Sequence, residues 1–90
     1  GSSAHKTMMI ISNETEQIRK IIIEEIGRGA TILHGEGGYK GESRDVIYTI
    51  VTRKEAAILR GHIHQIDPEA FINIIDSKET LGNGFKPLGE

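Results

Sequence analysis

Residues 35–55 read GEGGYKGESRDVIYTIVTRKE, and the order of their parts decides the fold. Glycines at 35, 37, 38 and 41 mark a loop. The loop runs into residues 45–52, DVIYTIVT, whose β-branched and aromatic side chains read as a strand. Thr52 and Glu55 then stand three apart as a capping box, so a helix follows the strand at once. A glycine loop cradles a pyrophosphate when it follows a strand and opens a helix, because the helix N-terminus supplies the N–H groups. Here the glycines lead into a strand. The dinucleotide and P-loop readings are therefore rejected, and the segment becomes a hairpin that feeds a helix.

Working outward gives the other elements. The helix after Thr52 carries Ala56, Leu59, Ile63 and Ile66 at helical spacing and ends before Pro68, which disfavours the α conformation at Asp67. AFINII, residues 70–75, reads as a further strand, and Asp76 with Glu79 as the start of a short helical turn. The irregular tail has Leu81 and Phe85 as apolar anchors. Upstream, ATILHG at 30–35 is a strand and residues 6–11, ending in MMII, are a buried one. Between them Ile18, Ile21, Ile22 and Ile26 recur at helical spacing. Asn13 and Glu16 suggest a second capping box, and Gly27 suits the C-terminal stop. The order strand, helix, strand, strand, helix, strand is the ferredoxin-like pattern, an α+β sandwich with an antiparallel sheet and both helices on one face.

The third strand raises a further expectation. Val46, Tyr48 and Ile50 point one way and Ile47, Thr49 and Val51 the other, and both sets are largely apolar. One helical layer covers one face, so this strand is expected to contribute to a subunit interface.

The chain has 90 residues, enough for one domain with a modest core. Residues 1–6 read as a linker or tag remnant, 7–85 as the domain and 86–90 as a tail. The formal net charge of -2 is no footprint for a nucleic-acid backbone or an anionic membrane. The strand order is also that of RNA-recognition modules, but Tyr48 is the only aromatic of the third strand, so no nucleic-acid partner is expected. With no cysteine there is no disulfide framework or thiolate metal site. No apolar run reaches the ~20 residues of a membrane span.

Chemistry is sparse. His62 and His64 diverge on a helix, and His5 and His34 stand apart, so no metal site is expected. No serine sits in a nucleophile elbow. No catalytic residue, enzyme activity or cofactor is expected. The glycine loop stays open between a mobile hairpin needing positive φ angles and a loop whose backbone N–H groups approach an anion.

Taken together, RGATIL, GEGGYKGE, VTRKE, DPEAF and GNGF resemble the soluble C-terminal domain of YitT-type bacterial membrane proteins, over about residues 6–85. The resemblance implies a domain of unknown function on the cytosolic side of the plasma membrane, following transmembrane helices outside this chain. It also implies a fold similar to the P-II (GlnB-like) signalling proteins, which are trimers with nucleotide sites between subunits and a long loop between the second and third strands. The loop here is much shorter. The role implied is that of a regulatory or ligand-sensing domain, with a small anionic or nucleotide ligand at subunit interfaces; the alternative is a purely structural oligomerisation module, and an enzyme acting on a small phosphorylated metabolite ranks below both. The residues expected at the ligand are Arg28 and Lys40 for charge, Thr31 for a hydroxyl bond, Gly35, Gly37 and Gly38 for close approach, and Tyr39 for stacking.

Overall fold

The computed structural model describes residues 5–87 and residue 89. Strand β1, His5–Ile11, is followed by helix α1, Thr15–Ile21, which continues as a π-helical turn, Ile22–Ile26. Strands β2, Thr31–Glu36, and β3, Ser43–Thr52, form the hairpin; helix α2, Arg53–Ile66, and strand β4, Phe71–Ser77, complete the domain. The sheet order is β2-β3-β1-β4 with every neighbouring pair antiparallel. This is the expected ferredoxin-like arrangement. Its β1 begins at His5, so residues 5 and 6 of the expected linker pair in the sheet, and positions 1–4 lie outside the described residues. At the other end Leu81 and Lys86 form an isolated bridge, while positions 88 and 90 of the expected tail lie outside the described residues.

The core lies between the sheet and the helices. Met8 and Ile10 of β1, Ile47 and Val51 of β3, Ile18 and Ile22 of the first helix, and Leu59 and Ile63 of α2 are fully buried there. Thr49 is buried among them because its hydroxyl donates to the Gly29 carbonyl at 2.8 Å, which removes the cost of burying it alone. Ile47, Thr49 and Val51 are therefore inside the subunit, and the expectation that they meet a second subunit is corrected. Alternation within β3 leaves Val46, Tyr48 and Ile50 on the opposite, open face, the half of that expectation that remains available.

The α2 start follows the sequence closely. The Glu55 amide donates to Thr52 Oγ1 at 3.1 Å and the Thr52 amide to Glu55 Oε1 at 2.8 Å, a complete capping box. The α1 start does not. Its cap position is Glu14, and no side chain closes it. Ser12 accepts the Glu14 amide at 2.9 Å instead, and Glu16 pairs with Arg19. Ser12 is held by a contact remote in sequence: its hydroxyl donates to Asp67 at 2.5 Å. Gly27 ends the helix at φ 80°, in the left-handed conformation that glycine adopts freely. The expected helical turn at Asp76 is absent; Asp76 and Ser77 continue β4, and Asp76 pairs with Lys6 across the sheet.

Candidate functional site

The hairpin between β2 and β3 sits at the end of the sheet where β1 ends and β4 begins. Its glycines serve the turn itself. The Gly37 amide donates to the Glu42 carbonyl at 2.7 Å and the Gly41 amide to the Gly37 carbonyl at 2.9 Å. A Cβ on Gly37 would lie 1.4 Å from Glu42 Oε1, so the Glu42 carboxylate occupies the space that glycine leaves. Gly41 has φ +71°. Two N–H groups of the glycine loop are thus engaged within the hairpin, and the carboxylates of Glu36 and Glu42 flank it. This geometry favours the turn reading of the loop over an anion nest. Tyr39 at the tip is 93% exposed, and no ring contact among the described residues holds it.

The expected ligand residues do not converge. Gly35, Gly37, Gly38, Tyr39 and Lys40 are at the hairpin end. Thr31 starts β2 opposite Tyr48, and Arg28 lies before it, at the other end of the sheet. The six residues of β2 separate them by about 20 Å at ~3.3 Å per residue. Arg28 has a different task. Its Nε donates to Glu55 Oε1 at 2.9 Å, its Nη1 to the Gly84 carbonyl at 3.3 Å, and its guanidinium lies 4.8 Å from the centre of the Phe85 ring. His5 meets the same ring edge-on at 4.8 Å. Burial pushes the Glu55 carboxyl up, but the Thr52 amide and the Arg28 guanidinium outweigh it and hold the group below its ordinary value.

Beneath the hairpin is an open cleft of about 510 Å³ between the end of β1, the start of β3 and the turn from α2 to β4. Glu42, Asp45, Asp67 and Glu69 line it, with Arg44 as the one cation among the described residues there. His34 Nδ1 lies 2.8 Å from Asp45, and Arg44 lies 3.3 Å from Glu42. Asp67 accepts from Ser12 and from the Glu69 amide at 3.0 Å. The cleft is acidic and receives hydrogen-bond donors, the reverse of an anion site. Sequence reasoning missed Ser12, Asp67 and Glu69 as neighbours of the hairpin, because 55 residues separate Ser12 from Asp67. Among the described residues no group of three or more His, Cys, Asp or Glu is placed to hold a metal ion.

Across the sheet from the helices, Leu33, Tyr48, Phe71 and Ile75 are 45%, 36%, 58% and 48% exposed. The pairing register places Met9 among them, so an apolar stripe crosses all four strands.

Residues 28–82 match the model of a family described as "Uncharacterized protein conserved in bacteria (DUF2179)". The UPF0750 membrane protein YpjC of Bacillus subtilis is 44% identical over 85 residues, which cover 94% of this chain and 29% of that protein. The UPF0750 membrane protein YitT of the same organism is 28% identical over 76 residues, covering 84% of this chain and 27% of the relative. The chain thus spans under a third of the length of these two relatives. A DUF2179 crystal structure from Eubacterium ventriosum superposes with TM-score 0.70 at 24% identity, over 79% of this chain and 97% of that one. The divalent cation tolerance protein Cut A1 of Thermus thermophilus superposes with TM-score 0.63 at 18% identity, over 84% and 86% of the two chains. At these identities the two structures bear on the fold alone. Among the described residues no helix is long and apolar enough to cross a membrane.

Proposed function

The chain belongs to the DUF2179 family, within the group of UPF0750 membrane proteins, and from that premise we propose that it is a non-catalytic domain through which copies of such a protein associate on the cytosolic side of the membrane. The observation that carries this reading is the open sheet face. An apolar patch that includes Leu33, Tyr48, Phe71 and Ile75, with Thr31 and Asn73 among them, belongs against a partner rather than in water. A domain of 90 residues has a small core of its own, so self-association supplements its stability. A trimer is the form that the P-II resemblance implies.

Sedimentation velocity of the 90-residue chain tests it. The chain is expected to sediment as an oligomer at tens of micromolar, and Tyr48→Asp to sediment as a monomer with an unchanged far-UV spectrum. A wild-type chain that stays monomeric at high micromolar concentration overturns the reading.

A second reading, a ligand-responsive regulatory domain, has the cleft beneath the hairpin in its favour. Its carboxylates favour a cationic or amine-bearing ligand over the anionic or nucleotide one implied by the sequence. A thermal-shift comparison separates the two ligand classes: a ligand at 100 times its Kd adds about 2.7 kcal/mol of stability.

A further inference from the structure

Both ends of the domain leave the sheet at the same place. His5 opens β1 opposite Ser77 and Thr52, the last residues of β4 and β3. The segment after β4 folds back to this end, where Phe85 packs on His5 and the Gly84 carbonyl accepts from Arg28. In the membrane relatives most of the protein lies outside the matched region. The first described residue, His5, and the segment after β4 both lie at this end.

The charges are sorted along the same axis. Lys6, Arg28, Arg53, Lys54, Lys78 and Lys86 gather where the chain ends emerge. Lys6 and Arg28 are paired with Asp76 and Glu55, whereas Arg53, Lys54, Lys78 and Lys86 are exposed and make no ion pair among the described residues. Among the described residues the unpaired acids at this end are Glu79, beside Lys78, and Glu24 and Glu25 on the π-helical turn; with the paired Asp76 and Glu55, six basic side chains stand against five acidic ones, so the end is weakly basic as a whole. The hairpin end is strongly acidic, with Glu14, Glu36, Glu42, Asp45, Asp67 and Glu69 against Lys40 and Arg44. The ten residues of β3 hold the two ends about 30 Å apart. That is some three Debye lengths at ~0.1 M salt, so a surface touching one end scarcely feels the other. The net charge of -2 hides this separation.

The geometry points to an anionic lipid surface as the partner of the His5 end, with Arg53, Lys54, Lys78 and Lys86 set against the headgroups and the hairpin directed away. This inference rests on the membrane-protein part of the reading above and not on self-association, so the two are tested by different residues and fail separately. Each Lys or Arg near such a surface strengthens binding on the order of fivefold, and the attraction falls with salt.

Co-sedimentation of the 90-residue chain with phosphatidylglycerol vesicles, against phosphatidylcholine vesicles, tests it at low salt. The expected result is binding to the anionic vesicles only, despite the negative net charge. That binding should disappear at about 0.5 M salt and fall on the order of several hundred-fold when Arg53→Gln, Lys54→Gln, Lys78→Gln and Lys86→Gln are combined. The pair Lys40→Gln and Arg44→Gln, at the hairpin, should leave it unchanged. Circular dichroism confirms that each variant is folded, and the salt response of the wild type is independent of any variant. No binding to the anionic vesicles at low salt, equal binding to both lipids, or loss in the hairpin variant rather than the fourfold one overturns the proposal.

Discussion

Nε of Arg28 and Oε1 of Glu55 lie 2.9 Å apart, and the same oxygen receives the Thr52 amide at 2.8 Å. One carboxylate thereby closes the first turn of α2 and ties it to the segment that enters β2. Both side chains are about three-quarters buried, so the pair is shielded more than a surface ion pair. Glu55→Ala removes a capping bond and leaves Arg28 without its anion. The expected loss is about 2 kcal/mol, the sum of a cap and a charged hydrogen bond at their lower values. Urea denaturation should show a lower midpoint with an unchanged slope. Thr52→Ala, which removes a single cap bond, should cost about 1 kcal/mol.

The same carboxylate makes stability depend on pH. Glu55 is held below its ordinary value of 4.5 in the folded chain, so the unfolded chain takes up the proton first. Its contribution is full above that value and is lost as the pH falls through the lowered folded value. The stability difference between the wild type and Glu55→Gln should therefore be largest near neutral pH and shrink as the pH drops below 4.5. A difference that stays constant down to about pH 3 would show that the carboxylate charge contributes nothing.

How legible these contacts were in the sequence depended on their range. The Thr52–Glu55 box spans three residues and could be read directly. The Asn13–Glu16 box has the same spacing but does not form, because Ser12 takes over once Asp67 anchors it from across the fold. β3 could be recognised as a strand apolar on both sides. Which side faced the helices depended on the pairing with β1 and β2, which alternation within one strand does not encode. Arg28 and Lys40 looked like one anion site because both flank the glycine loop, yet the strand between them carries them to opposite ends. Net charge averaged away the separation of basic and acidic ends.

The two faces of β3 give the next expectation. Ile47 is fully buried between sheet and helices, whereas Ile50 is half-buried on the open side. Ile47→Ala should cost about 2–5 kcal/mol, since the close-packed layer around it cannot collapse into the cavity. Ile50→Ala should cost well under that in a dilute monomer and rise with protein concentration if the open face pairs. Denaturation midpoints at two concentrations check both statements.

The hairpin glycines should separate by conformation. Gly41 has φ +71°, so Gly41→Ala should cost about 1–2 kcal/mol from backbone strain. Gly38 has nothing within 4 Å of the place a Cβ would take and no positive φ, so Gly38→Ala should be neutral or slightly stabilising, through a less flexible unfolded chain. Gly37→Ala displaces only the end of a flexible Glu42 side chain and should fall between them. Thermal midpoints in this order would assign the loop to turn formation.

Phe85 closes the other end of the sheet. Its ring packs edge-on against His5 and lies 4.8 Å from the Arg28 guanidinium, whose Nη1 also reaches the Gly84 carbonyl. The segment after β4 has no strand pairing beyond the Leu81–Lys86 bridge among the described residues, so these contacts hold it in place. Phe85→Ala removes the ring and with it a cation–π contact worth about 0.5–1 kcal/mol. The segment should then open locally while α2 keeps its cap, because Glu55 still bonds Arg28 and Thr52. Trypsin should cut after Lys78 several-fold faster in Phe85→Ala, with a shift of the global midpoint no larger than a few degrees. Unchanged cleavage would mean that the Leu81–Lys86 bridge alone fixes the segment.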